Sequence, residues 1–356
     1  MGGNIRIKAG KQAYEIIRAG GFNLDKVTTY FGPAGGPRWL AASGFDLTLI
    51  REQSLGRNNP VCLAGASAGA WRFAAWPQPE AEKSYKSLID SYITATYSRK
   101  DTPRTILQSL ASIVNSYIEN DGLPFALSSK RYRLAILTTR MKNLAASDNA
   151  LLQKTGFLSI FLANAINPKL LNRFAERFVF YSGPRPPDFC LRKDFHGRFS
   201  PLNEVNFKPA VIASGAIPIV VAGVRDIFGA PYGMYRDGGL LDYNINQDYR
   251  TKNDGLTLFF HHQERIIPGW MDKIFKNRRP PADFLDSVVM VYPSEDFVRK
   301  LPDGRIPDRS DFDTFIDDPK TRIANWRKTT ELAAPLGEEF LELIESGKLR
   351  DIVEVI

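Results

Sequence analysis

The sequence predicts an α/β fold built on a mainly parallel central sheet. Two strand–turn–helix units follow one another near the start, and Val61, Cys62, Leu63 and Ala64 form the compact apolar run that a strand buried on both faces requires. Amphipathic helical stretches then separate further apolar runs, as cover for such a sheet would. A hydrophobic content of 44% with 12% aromatic supplies a sizeable core for 356 residues, read here as one domain.

Taken in order, a helix is expected over residues 12–19 and the first core strand over 26–31. That strand runs into Gly32-Pro33-Ala34-Gly35-Gly36-Pro37-Arg38, a loop rich in glycine and proline, and a helix from Trp39 to about Gln53 follows. The next strand, 61–64, breaks at Gly65-Ala66-Ser67-Ala68-Gly69 into a second helix. Two such units in succession imply parallel pairing through right-handed crossovers, so the Gly35-Gly36 loop can lie beside Ser67. Two helices are expected between residues 79 and 120, a strand over 131–140, and a strongly apolar helix around Phe157 to Leu162, read as core, acyl-chain wall or lid. Further strands are expected at 178–181, 256–260 and 287–292, with a short helix over 207–218 and a long helical stretch from 317 to 347.

The chemistry starts at Ser67. G-x-S-x-G between a strand and a helix is the pattern of a nucleophile elbow, in which a strained turn exposes the serine hydroxyl and small neighbours let strand and helix pass closely. Gly65 and Gly69 are those neighbours. Glycines at 35 and 36 bring backbone N–H groups close to a reacting carbonyl, and two such donors can hold a tetrahedral oxyanion, with Arg38 adding charge or shaping the loop. The spacing fits neither phosphate-cradling pattern, so no nucleotide site is expected. Asp237-Gly238-Gly239 follows the short strand Met234-Tyr235-Arg236; an acid at a strand end with two glycines behind it can be set against another loop without steric conflict. The same dipeptide also serves ordinary Asp-Gly turns.

These pieces together resemble the patatin-like phospholipase family. The resemblance rests on the Gly35-Gly36-Pro37-Arg38 loop, on Gly65-Ala66-Ser67-Ala68-Gly69, on Ala213-Ser214-Gly215-Ala216-Ile217-Pro218 and on Asp237-Gly238-Gly239, in that order over about residues 26–245. It departs from the family at Ala34 and Trp39, where further glycines are usual. The resemblance implies a three-layer α/β/α hydrolase that cleaves acyl esters of lipids with a Ser67–Asp237 dyad, an oxyanion loop at Gly35, Gly36 and Arg38, and no catalytic histidine. It implies no cofactor and no metal. Residues 246–356 lie outside it and are expected to complete the domain.

Two other readings stay open at this level. His261 and His262 end the strand 256–260, and the order Ser67, Asp237, His261 or His262 is that of an α/β-hydrolase triad. The fold could also carry a non-catalytic, membrane-surface binding protein.

Composition bounds the setting. Lys+Arg 47 against Asp+Glu 39 gives a net charge of +8, which by itself suits an anionic membrane surface and nucleic acid equally; with the hydrolase motifs beside it, no nucleic acid partner is expected. In residues 266–279 Trp270 and Phe275 stand among Lys273, Lys276, Arg278 and Arg279, a basic amphipathic segment that reads first as a surface helix packing its apolar stripe on the core and otherwise as one touching a lipid headgroup layer, with Trp270, Phe275, Arg278 and Arg279 as contact candidates. Only two cysteines, no secretory h-region and no apolar span point to a cytoplasmic protein, peripheral to membranes where it meets phospholipid or other acyl-ester lipid.

Overall fold

The computed structural model of the chain describes residues 3–147, 149–251 and 255–356. Its strands are β1 Ile5–Ala9, β2 Val27–Gly32, β3 Val61–Ala66, β4 Tyr132–Met141, β5 Ala175–Tyr181, β6 Gly197–Pro201, β7 Val224–Arg225, β8 Met234–Asp237, β9 Leu256–Phe260, β10 Val288–Pro293 and β11 Glu354–Val355. The α-helices are α1 Lys11–Arg18, α2 Ser43–Arg51, α3 Ala68–Ala74, α4 Ala81–Thr94, α5 Pro103–Tyr117, α6 Leu123–Ser128, α7 Ala150–Ile166, α8 Phe207–Ser214, α9 Glu295–Lys300, α10 Asp311–Thr314, α11 Pro319–Ala333, α12 Leu336–Glu345 and α13 Leu349–Ile352.

The strands form one sheet in the order β11-β1-β10-β9-β2-β3-β4-β5-β6, with β8 also paired to β4 and β7 to β8. Its centre, β10-β9-β2-β3-β4, is parallel throughout, as the successive βα units require. Antiparallel pairs border it, β1 on β10, and β5 and β8 on β4. The C-terminal third is therefore no appendage, because β9 and β10 sit inside the sheet.

Alternation along the strands gives the sheet two apolar faces. Tyr30, Leu63, Leu134 and Phe260 belong to the larger core, where they meet Phe45 of α2, Phe73 of α3, Tyr85 of α4 and Phe340 of α12. Phe31, Ala64, Leu137 and Phe259 point the other way, to Phe189, Phe195, Tyr249 and Ile266, which come from loops and short turns rather than from α-helices. A buried polar knot ties the helical side together. Asp46 of α2 accepts from Arg72 of α3 (2.7 and 2.8 Å), from the Tyr30 hydroxyl of β2 (2.6 Å) and from the Tyr85 hydroxyl of α4 (2.5 Å).

Four points of the sequence reading are refined or corrected. An amphipathic strand, β1, paired between β10 and the two-residue β11, precedes α1 and is easily passed over because its five residues carry Arg6 and Lys8. The stretch after the glycine loop is a 3₁₀ turn over Gly36–Ala42 before α2 begins, since Pro37 and the tight loop exit delay regular helix. The long C-terminal helix is two, α11 and α12, broken at Ala334-Pro335 where the proline lacks an N–H. Residues 266–279 form no amphipathic helix: Pro268-Gly269 breaks the segment just ahead of Trp270, Pro280-Pro281 follows it, and only Trp270–Ile274 makes a 3₁₀ turn.

A candidate active site at the end of the sheet

β4 brings the two central side chains together. Along one edge of β4, β3 pairs up to Ala66 opposite Leu137, and β8 runs the other way from Met234 opposite Met141 to Asp237 opposite Thr138. The carboxyl ends of β3 and β8 thus meet head to head, and the residues emerging there are Ser67 and Asp237. Ser67 Oγ donates to Asp237 Oδ2 at 2.8 Å, across 170 residues of chain.

The turn at Ser67 has φ 55° and ψ −123°, a conformation a side chain rarely adopts. It persists because its surroundings fix it. The Ser67 N–H donates to Ser214 Oγ (2.9 Å), which in turn donates to the Leu137 carbonyl (2.6 Å), so α8 anchors the turn to β4. Gly65 and Gly69 permit the crossing of strand and helix: a Cβ on Gly69 would sit 2.0 Å from the Gly32 carbonyl oxygen, and one on Gly65 2.5 Å from the Gly69 carbonyl carbon. Neither neighbour is a movable side chain. Gly69→Ala is therefore expected to cost about 3 kcal/mol or more by overpacking; a fall in the urea unfolding midpoint measures it, and a parent-like midpoint would contradict the crossing.

Asp237 is oriented by the Gly239 N–H, which donates to Oδ1 at 2.7 Å. Gly239 lies against Ala34, and a Cβ there would come within 2.6 Å of the alanine methyl. Burial pushes the Asp237 carboxyl up to about 6, against the pull of Ser67, Gly239, Arg309 and Lys273 toward the ionised form. A carboxylate so placed is a far better proton acceptor at neutral pH than a solvated one.

The Gly35-Gly36 loop lines the same cleft, and neither amide N–H has a hydrogen-bond acceptor among the described residues. Arg38 holds the loop's outer side by an ion pair to Asp308 and a hydrogen bond to the Tyr243 hydroxyl (3.1 Å). Trp39 turns away from the cleft and is buried, edge-on to Tyr85 and Tyr92. Its bulk fills core, not the space around Ser67.

The histidines do not join the pair. Among the described residues, Ser67 Oγ and both Asp237 oxygens bond only with each other and with Gly239. His261 and His262 follow the carboxyl end of β9, buried, with His262 beneath Gly35 and in edge contact with His261 at 4.3 Å. Burial keeps both neutral, pulling His261 down to about 3 and His262 well below its ordinary value. The triad order in the sequence is thus not realised in space.

The basic segment is also disposed differently from the expectation. Trp270 lines the cleft, Phe275 stacks on Phe161 of α7 (6.3 Å, 17°), and Arg278 donates to Asp272 (2.8 Å) and to the Asn164 carbonyl (3.0 Å). Arg279 alone of the four is open to solvent. Sequence reasoning gave no site role to Lys273, Asp308 or Arg309, which line the cleft from two loops without a motif. Ser214 lies inside the Ala213–Pro218 motif, but no pattern there signals its anchoring role.

From Ser67 two spaces open. One is the polar cleft of ≈100 Å³; the other is an apolar cavity of ≈300 Å³ bounded by Trp71, Tyr92, Leu110, Ile113, Val221 and Phe312. No protein-family model matches the chain, and a search of curated proteins finds no match. The site has to be read from its own geometry.

Proposed function

We propose that the protein is a lipid acyl hydrolase of patatin-like type, with a three-layer hydrolase architecture whose second outer layer is built of loops and short turns in place of the expected helices, in which Ser67 is the nucleophile and Asp237 its base. The observation that carries this is the 2.8 Å hydrogen bond from Ser67 Oγ to a buried carboxylate at the mouth of an apolar cavity. Asp237 takes the hydroxyl proton as Oγ attacks the ester carbonyl, and the oxyanion forms beside the free Gly35 and Gly36 N–H groups. Collapse of the tetrahedral species expels the alcohol, which receives the proton from Asp237. The acyl chain stays on Ser67, its tail in the apolar cavity. Water then attacks the acyl ester, giving its proton to Asp237; collapse of this second tetrahedral species breaks the acyl–Oγ bond, the proton passes from Asp237 back to Ser67 Oγ, and the fatty acid leaves. Each step uses side chains of this chain and no cofactor.

An apolar stripe on α7 supports action at a lipid surface. Leu151, Leu158, Leu162 and Ile166 recur at helical spacing and are exposed, Ile166 by 80%. Gln153 of the same helix accepts from the Ile219 N–H (3.0 Å), next to Val220, which is exposed and lines the cavity. Among the described residues no helix is long and apolar enough to cross a membrane. Cys62 and Cys190 are buried and unpaired, which suits a reducing compartment.

The pH profile tests the dyad. Asp237 works as its anion, so with a pKa of about 6 the value of kcat/KM for a p-nitrophenyl ester is expected to rise tenfold per unit below pH 6 and level off above it. A rise centred near the ordinary aspartate value of about 4 would contradict a buried carboxylate base.

A further inference from the structure

The polar cleft carries more positive charge than the reaction needs. Five charged side chains line it: Arg38, Lys273 and Arg309 against Asp237 and Asp308. Arg38 and Asp308 pair with each other. That leaves two cations facing one carboxylate, and neither has a carboxylate within ion-pairing distance among the described residues. Lys273 Nζ sits instead over the Tyr243 ring, 4.1 Å from its centre. Burial and the nearby Arg38 and Arg309 guanidinium groups pull its ammonium down to about 8, with Asp308 and Asp237 opposing them. A half-buried cation held at a cost, beside a second one, favours any anion that arrives.

The position of these charges matters as much as their number. Arg309, Ser67, Gly36 and Ile217 line both the polar cleft and the apolar cavity, whereas Lys273 lines the cleft alone. An ester bound at Ser67 with its acyl tail in the cavity therefore directs its alcohol portion toward Lys273 and Arg309. We infer that this cleft selects acyl esters whose alcohol carries a net negative group, a phosphate monoester or equivalent anion, and discriminates against zwitterionic and neutral headgroups. The inference rests on the acyl-hydrolase reading. It assigns headgroup selectivity to two residues of the C-terminal third. A zwitterionic headgroup brings its own cation into a site already rich in them, so its phosphate gains little. Lys273 presents a point charge and Arg309 a planar fork, a combination suited to a tetrahedral oxyanion.

Two measurements with one set of variants test this. In the first, kcat/KM is compared at pH 7 for three esters of one decanoyl chain, with glycerol phosphate, glycerophosphocholine or glycerol as the alcohol. The parent is expected to prefer the phosphate monoester over both others by about 30-fold or more, mainly through KM, and to lose part of that margin as salt rises. Arg309→Gln and Lys273→Gln should each shrink the phosphate-to-glycerol ratio by about tenfold, and Arg309→Glu should reverse it. No preference in the parent, or equal losses on all three esters in the variants, would overturn the inference. In the second, dodecyl phosphate and dodecylphosphocholine are titrated onto Ser67→Ala, with inorganic phosphate as competitor. Tighter binding of dodecyl phosphate, weakened by Arg309→Gln, supports the subsite, and equal binding of the two amphiphiles overturns it. If inorganic phosphate alone binds with the same affinity, the site recognises free phosphate and the headgroup inference falls. Charge-dependent amphiphile binding without any Ser67-dependent turnover would instead sink the hydrolase reading and leave the anion subsite standing.

Discussion

Ser67→Ala and Asp237→Asn are each expected to lower kcat for ester hydrolysis by about 10³-fold or more, while the protein stays folded. The size follows from the roles. Without Oγ there is no acyl intermediate, and without the carboxylate the hydroxyl proton has no acceptor, because among the described residues the Gly239 N–H is the only other hydrogen-bond partner of the Asp237 carboxylate and no histidine stands behind Ser67. A loss of 10³ corresponds to about 4 kcal/mol of transition-state stabilisation. The two losses should not add, since the pair acts as a unit. His262→Gln, which alters a buried side chain beneath the glycine loop, should leave turnover within a few-fold of the parent; a 10³-fold loss there, in a folded variant, would restore the triad reading.

The second large effect falls on stability. Arg72 is 1% exposed and Asp46 is fully buried, and the pair joins α2 to α3, the helix that begins directly after Ser67. Asp46→Asn keeps the shape but leaves the Arg72 guanidinium buried without a counter-charge, and the Tyr30 and Tyr85 hydroxyls lose a charged acceptor. Breaking such a pair from one side costs about 3–5 kcal/mol. Thermal unfolding of the purified variant reads this directly. A midpoint equal to the parent's would show that the knot is solvated or dispensable.

How much of this was legible in the chain depends on what enforced it. The β2 and β3 units are legible because a parallel strand buried on both faces leaves an unbroken apolar run, and because the sharp exit from β3 leaves no room for a Cβ at Gly65 or Gly69. That Ser67 and Asp237 meet is half legible. The motif marks each residue as a strand end, but the head-to-head abutment of β3 and β8 is set by the ten-residue length of β4, which holds one strand after the other along a single edge. Lys273, Asp308 and Arg309 leave no trace in periodicity, since charged loop residues are the commonest kind and only the fold decides which of them face inward. The histidines mislead for a related reason. Chain order suits a triad, yet β9 lies on the far side of β2 from β3, so its end delivers His262 to the underside of the glycine loop rather than to Asp237. In residues 266–279 composition alone suggested an amphipathic surface; the flanking prolines prevent the helix, and the exposed apolar stripe belongs to α7 instead.

The central claim is that Ser67 becomes acylated with Asp237 as its base, and mass analysis of the protein quenched during turnover of a p-nitrophenyl ester tests it most directly. The account predicts one acyl group on the peptide containing Ser67, absent in Ser67→Ala and formed about 10³-fold more slowly in Asp237→Asn. Turnover with no adduct at Ser67, or an adduct formed at the parent's rate in Asp237→Asn, would contradict it.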